Sequence, residues 1–220
     1  HGEFPRVVIA PGNPVESIEK TNEAFYLSQK FNSLSIILSD KHLAESEFSS
    51  NEKIKNPLKI ETKRKIPGKI IVKNSGYEHD EFGNTTENAT IAIKNAEKRI
   101  EKYKLIKKEC KKFEMIKIHG KKNSKNLIIG WGSTRGAIID AIKDLDFKFL
   151  QVIYLKPLSD EIKKEIQKAK KIILVENNLT GQLGRLIREK TGIKIKNRIL
   201  KYDGRPFYSN DLKDEILKIK

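Results

Sequence analysis

Asn126-Leu127-Ile128-Ile129-Gly130-Trp131-Gly132-Ser133-Thr134-Arg135-Gly136-Ala137-Ile138 decides the fold. An apolar run of strand length meets a glycine turn. The turn opens a stretch in which Ile138, Ala141, Ile142 and Leu145 fall on one helical face, predicting a helix over Arg135–Leu145. The same unit then repeats. Phe149–Leu155 reads as a strand ending before Pro157. Ser159–Ala169 reads as a helix, with Ser159 as cap and Ile162 and Ile166 turned inward. Lys171–Val175 is a strand, Gly181–Lys190 a helix with Gly192 just past its end, and Ile193–Leu200 a final strand. Alternation at this spacing predicts an α/β fold with a mostly parallel sheet covered on both faces.

Toward the amino terminus the rhythm appears once more. Pro5–Ala10 is a short apolar strand, Pro11-Gly12-Asn13-Pro14 a turn, Val15–Phe31 a helix and Leu34–Leu38 a second strand. Two parallel strands with one helix leave faces uncovered, so further strands are expected before His1 or from a partner. Between the two regions, Glu47–Ser75 loses periodicity and reads as an extended linker with a strand at Lys69–Val72. A polar loop follows, and then a long helix over Asn88–Phe113 with a stripe of Ile93, Ala96, Ile100, Tyr103, Ile106, Cys110 and Phe113. Residues 51–125 carry 21 Lys and Arg against 10 Asp and Glu, as a solvent-exposed connector would. The expected divisions are 1–50, a partial α/β domain; 51–118, a basic linker with the long helix; and 119–220, the orderly α/β domain.

The 220 residues suffice to bury a core. At 37% hydrophobic and 34% charged the chain is polar, but its apolar residues are gathered into clean runs, which argues for folded domains rather than disorder. A formal net charge of +16 raises the question of nucleic acid. The lysines are scattered along helices without interleaved arginine and aromatic residues, so neither nucleic acid nor membrane is expected as partner. A lone cysteine, Cys110, provides neither a disulfide framework nor the four thiolates of an iron–sulfur cluster. The start, His1-Gly2-Glu3-Phe4, lacks an initiator Met and a signal peptide and reads as a point inside a longer chain, with a cytoplasmic location expected.

Three stretches could carry chemistry. Gly130–Gly136 suits a phosphate cradle, but the spacing is GxGxxxG and no acidic residue is placed for a ribose. A tight turn capped by Ser133 or Thr134 is therefore preferred. Glu176-Asn177-Asn178-Leu179-Thr180-Gly181-Gln182 lies where a strand ends and a helix begins, either as a ligand or partner edge or as a set of caps. Glu78-His79-Asp80-Glu81 groups carboxylates with an imidazole; a single histidine is poor for zinc, and no metal site is expected. Gly132, Ser133, Thr134, Glu176, Asn177, Thr180, Gln182 and His79 are the candidates for ligand or interface contacts. No catalytic residue is nominated.

Four stretches taken together resemble one family: His1–Glu16 (HGEFPRVVIAPGNPVE), Ser75–Asn88 (SGYEHDEFGNTTEN), Leu127–Ile138 (LIIGWGSTRGAI), and Val175–Gly192 with Lys201–Phe207 (KYDGRPF). They are similar to the α subunit of thiamine-diphosphate-dependent 2-oxoacid:ferredoxin oxidoreductases, closest to the 2-oxoglutarate type, and the similarity runs in order over almost the whole chain. The resemblance implies the C-terminal half of a thiamine pyrimidine-binding-like domain followed by a transketolase C-terminal-like domain. It implies an activity that decarboxylates a 2-oxoacid, passes the acyl unit to coenzyme A and reduces ferredoxin. It also implies a β subunit, a γ region and ferredoxin as partners, with thiamine diphosphate and the iron–sulfur cluster held mainly outside this chain. The family's Tyr-Pro-Ile-Thr-Pro stretch, its Gly-Asp-Gly motif and its cluster cysteines do not occur in this sequence, and the lysines around Lys63–Lys65 depart from the family pattern. The isolated chain is therefore expected to be inactive. A free-standing nucleotide-binding module using the GWGSTRG turn is the alternative.

Overall fold

Asn13 is followed by Pro14, an arrangement that starts a helix: the asparagine side chain accepts from Glu16 N at 2.7 Å, and proline has no amide to leave unpaired. In the computed structural model, which describes residues 3–60, 66–73 and 75–219, this signal joins β1 (Arg6–Ile9) to α1 (Pro14–Phe31). Asn32, in the left-handed region at φ 45°, ends α1 and leads into β2 (Leu34–Ile37), which pairs in parallel with β1. Asp40 then caps a short helix, α2 (Lys41–Ala44). Lys63, Arg64, Lys65 and the first two residues lie outside the described residues.

After the connector come α3 (Ala89–Cys110), capped by Asn88, and β3 (Ile116–Gly120). The carboxyl-terminal half holds β4 (Asn126–Trp131), α4 (Thr134–Ala141), β5 (Lys148–Val152), β6 (Tyr154–Lys156), α5 (Glu161–Lys168), β7 (Lys171–Glu176), α6 (Gln182–Thr191), β8 (Asn197–Leu200) and α7 (Ser209–Lys218). One sheet runs β3-β5-β4-β7-β8, parallel except for β3, which pairs antiparallel with β5; the other runs β2-β1-β6. The parallel sheet is covered on both faces, as expected. Alternation along β4 sends Ile128 to the side of α4 and α7, and Leu127 and Ile129 to the side of α5 and α6. A third core gathers Val7, Ile9, Ala24, Leu27, Ile106, Cys110 and Tyr154 around the smaller sheet.

Several expectations are corrected. No strand forms at Lys69–Val72, where a single bridge joins Pro67 to Ile70; residues 66–73 are exposed and have no sheet to join. The run Phe149–Leu155 is not one strand. Ile153 donates to Met115 O at 3.0 Å and accepts from Ala10 N at 2.7 Å, and there the chain leaves one sheet and enters the other as β6. That crossing gives β1 a second neighbour, antiparallel and from within this chain, where a strand before His1 or from a partner was expected. The final strand begins at Asn197 rather than Ile193, and α4 ends at Ala141 rather than Leu145. The stripe on α3 is buried only at Ile106 and Cys110, while Ile93 and Ile100 are 60% and 46% exposed. The sequence reading named neither α2, β3 nor α7.

Candidate functional site

Five strands, β1, β2, β4, β7 and β8, end on the same side, and the loops that follow them enclose a crevice of about 610 Å³. In open α/β sheets this edge is where ligands and partners meet, because the strand-to-helix turns converge there. Pro11 and Asp40 come from the small sheet's loops, Trp131, Gly132, Ser133 and Thr134 from the glycine turn, and Asn177 from the turn after β7. Tyr202 and Arg205 come from the loop after β8.

The glycine turn is built by packing. A Cβ at Gly130 would meet Ile138 Cδ1 at 2.7 Å and Thr134 Oγ1 at 3.0 Å, so only glycine lets α4 approach β4. Gly132 lies at φ 60°, which a side chain rarely adopts. The expected capping by Ser133 or Thr134 does not occur. Ser133 occupies the cap position without a capping bond; its hydroxyl instead donates to Asp40 Oδ2, and Thr134 Oγ1 donates to Trp131 O at 2.8 Å. Asp40 Oδ1 in turn accepts from Leu43 N at 3.0 Å. One carboxylate thus caps α2 and holds the turn before α4, linking the two sheets' loops.

The turn after β7 is organised by Glu176, which is fully buried. Its carboxylate accepts from Trp131 Nε1 at 3.1 Å, Asn178 Nδ2 at 2.7 Å, Leu183 N at 3.0 Å and Gly184 N at 3.1 Å. Asn178 Oδ1 accepts from Gly181 N and Gln182 N at 2.7 and 3.1 Å. The free amides that make a helix start an anion site are therefore occupied by the chain's own side chains. Of the sequence candidates, Gly132, Ser133, Thr134 and Asn177 line the crevice, whereas Glu176, Thr180 and Gln182 are not among its lining residues. His79 is elsewhere: its Nε2 and Ser75 Oγ are 2.8 Å apart, and it bridges to Thr85. Its neighbour Glu78 pairs with Arg99 at 2.7 Å, and the hydrogen bonds from Arg99 and Asn95 hold the Glu78 carboxyl below its ordinary value. Asp80 serves the amides of Phe82 and Asn84. Among the described residues no three His, Cys, Asp or Glu side chains gather as a metal site would require.

Sequence reasoning missed Asp40, whose only signal was a capping residue three positions before Leu43. It also missed a buried network beneath the crevice. Glu16 Oε2 accepts from Gly12 N at 2.8 Å and from Gln151 Nε2 at 2.7 Å, while Arg135 Nε faces Glu16 Oε1 at 3.5 Å, an ion pair without a hydrogen bond. Gln151 Oε1 lies 2.8 Å from His119 Nε2, and His119 stacks on Phe149 with ring centroids 5.4 Å apart. Burial, with Arg135 and Lys117 nearby, pulls the His119 imidazole below its usual pKa. Cys110 is buried, and desolvation pushes its thiol up to about 12, which removes it as a nucleophile or metal ligand.

No family model matches the chain. It is 31% identical, over its whole length, to subunit alpha of 2-oxoacid:ferredoxin oxidoreductase 1 from Sulfurisphaera tokodaii, of which it covers 39%. Over 98% of its length it is 32% identical to 2-oxoacid:ferredoxin oxidoreductase subunit alpha from Saccharolobus solfataricus, again covering 39% of that protein. Among solved structures, a 2-oxoglutarate:ferredoxin oxidoreductase from Magnetococcus marinus, with 2-oxoglutarate, coenzyme A and succinyl-CoA bound, superposes with a TM-score of 0.76 at 24% identity. That match covers 98% of this chain and 43% of the other, and it shows a shared fold.

Proposed function

Because the chain is a relative of the C-terminal part of 2-oxoacid:ferredoxin oxidoreductase alpha subunits, spanning 39% of their length, we propose that it works as that part of such a subunit in a heteromeric, cytoplasmic enzyme. The reaction is the oxidative decarboxylation of a 2-oxoacid to an acyl-coenzyme A with reduction of ferredoxin. The division follows the sequence reading: 1–50 a partial pyrimidine-binding-like domain, 51–118 a linker, and 119–220 a transketolase C-terminal-like domain. A β subunit, a γ region and ferredoxin are the partners.

One observation carries the role assigned to this chain. The polar groups at its strand edge are engaged with one another: Glu176 with four donors, Asp40 with two. Such groups fix loops in place, and a carboxylate already holding several donors is poorly suited to take or give a proton. The chain therefore supplies scaffold and contact edges, and the reactive groups sit on companion protein. The residues do not fit the cofactors themselves. The lone thiol is buried, which does not suit an iron–sulfur cluster, and among the described residues no three His, Cys, Asp or Glu side chains gather to hold the metal that would accompany a diphosphate. When bound in the assembled enzyme, thiamine diphosphate supplies the carbon chemistry, the iron–sulfur cluster carries electrons and coenzyme A takes the acyl group. This chain orders the walls around them through the loops that Asp40 and Glu176 tie down.

The test is turnover with and without companions. The purified chain alone is expected to give no 2-oxoacid- and coenzyme A-dependent reduction of ferredoxin; the chain co-expressed with its β subunit is expected to give it. Turnover by the chain alone overturns the proposal. Ser133→Ala and Asn177→Ala, both lining the crevice, are expected to alter assembly or the KM for coenzyme A; wild-type values in both measurements count against a contact role there. The alternative, a nucleotide site on the glycine turn, is disfavoured by the Asp40 carboxylate bonded to Ser133, which sets a negative charge where a phosphate would lie.

A further inference from the structure

Gln151 is fully buried, and both ends of its amide are engaged. Its Nε2 donates to Glu16 Oε2 at 2.7 Å, and its Oε1 lies 2.8 Å from His119 Nε2. Glu16 Oε2 also accepts from Gly12 N at 2.8 Å, so a chain of side chains runs from β3 through β5 to the start of α1. The carboxylate sets the direction of every bond in it. A carboxylate offers acceptors, so the amide turns its NH2 toward Glu16 and its oxygen toward His119. The imidazole then donates from Nε2 and keeps its lone pair on Nδ1. Among the described residues no acceptor is paired with Nδ1, the atom that a second proton would occupy.

The surroundings answer that proton poorly. The ring is half-buried and stacked on Phe149, with the planes 21° apart. The charged groups facing it are Arg135 from α4, Lys117 from its own strand and Glu16 from α1, while β5 presents Gln151 and Phe149. Two cations stand against one carboxylate, which already serves Arg135, Gly12 and Gln151. Glu16 Oε1 and Arg135 Nε are buried without a hydrogen bond, so the joint is under-satisfied before any proton arrives. We infer that His119 is a proton-operated latch: in acid its imidazolium turns out to water, the His119–Gln151–Glu16 chain breaks, and the loop at Gly12 slackens against the start of α4. The departing ring strands the Gln151 oxygen in the core, and the amide must turn away from Glu16 to find a donor. Pro11 and Thr134, the neighbours of Gly12 and Arg135, line the crevice, so its walls loosen with the latch. The backbone between β5 and β6 stays in place. The latch lies within this chain and needs no companion.

Burial first, with Arg135 and Lys117 adding to it, holds the folded-state imidazole below its ordinary 6.5. The stability it contributes is therefore complete above pH 6.5 and is lost as the pH falls below that value. Amide hydrogen exchange, corrected for intrinsic rates, is read at about pH 7.5 and about pH 5. Protection of the Gly12 amide is expected to fall about tenfold at the lower value, the equivalent of one unit of displacement, while amides in α5 and α6 keep theirs. His119→Gln places a side-chain NH2 within reach of the Gln151 oxygen and does not titrate in this range. It is expected to protect Gly12 equally at both values. In the wild type, imidazole nitrogen shifts are expected to show the proton on Nε2 at the higher pH, a reading that needs no variant. Equal Gly12 protection at both values in the wild type overturns the latch. So does the same fall in His119→Gln, which assigns the sensitivity to another group, or a loss spread evenly over every amide, which is global unfolding. A neutral ring carrying its proton on Nδ1 overturns the bond directions and the latch with them.

Discussion

Glu176 has no surface left to water, so its charge has to be answered from inside the protein. Two backbone amides, an indole and an asparagine do so. Glu176→Gln keeps the shape but turns an amide NH2 toward donors that need an acceptor. It is expected to lower stability by about 2–4 kcal/mol, the range for losing charge-assisted bonds and stranding their partners, read as a shift in the urea midpoint. A second carboxylate makes a pH prediction. Burial alone would raise the Glu109 pKa, but hydrogen bonds from Lys30, Lys112 and Tyr26 outweigh it and hold the group down to about 2, against 4.5 ordinarily. A folded-state value below the unfolded one contributes stability that is complete above pH 4.5 and lost as pH falls toward 2. The group therefore accounts for about 3 kcal/mol at most. Glu109→Gln is expected to flatten the stability profile across that window. An acid limb as steep in the variant as in the wild type would falsify the assignment.

The turn between β1 and α1 shows how two elements fix a third. A Cβ at Gly12 would stand 2.6 Å from Arg135 Cδ and 2.7 Å from Gln151 Nε2, both already committed to Glu16. Gly12→Ala is expected to cost about 1–3 kcal/mol by overpacking, measured by thermal unfolding, whereas alanine at Gly136, with open space around it, is expected to cost nothing or to stabilise α4 slightly. These elements also mark what the sequence could reveal. The strands β4 and β7 were legible because a buried parallel strand shows as an apolar run, and α1 and α6 because their ends carry Asn13-Pro14 and Gly192. The break at Ile153 was not, since both halves of Phe149–Leu155 are equally apolar and what divides them is a pair of hydrogen bonds to distant residues. The site was half legible. Gly132, Ser133, Thr134 and Asn177 fall in βα turns, which spacing predicts. Asp40, Gln151 and Arg135 act across 93 or more positions, and no local pattern encodes such reach.

At the scale of the molecule, the two sheets are joined by the continuous backbone from β5 into β6, the Glu16–Gln151 bond and the Asp40–Ser133 bond, so they are expected to unfold together. Calorimetric and van't Hoff enthalpies should agree, and circular dichroism and Trp131 fluorescence should report one midpoint. Gln151→Ala, which empties the middle of the junction and leaves Glu16 short of a donor, is expected to separate the two signals. One coincident transition in that variant would show that the junction does not depend on this side chain.

The handover at Ile153 has a mechanical meaning. Because a single uninterrupted stretch of backbone belongs first to one sheet and then to the other, the pair cannot swing like leaves on a hinge without tearing ladder bonds at Ala10, Met115 and Tyr154. Any movement between loops is therefore expected at the outer margins, with this region as the fixed abutment against which the moving parts bear.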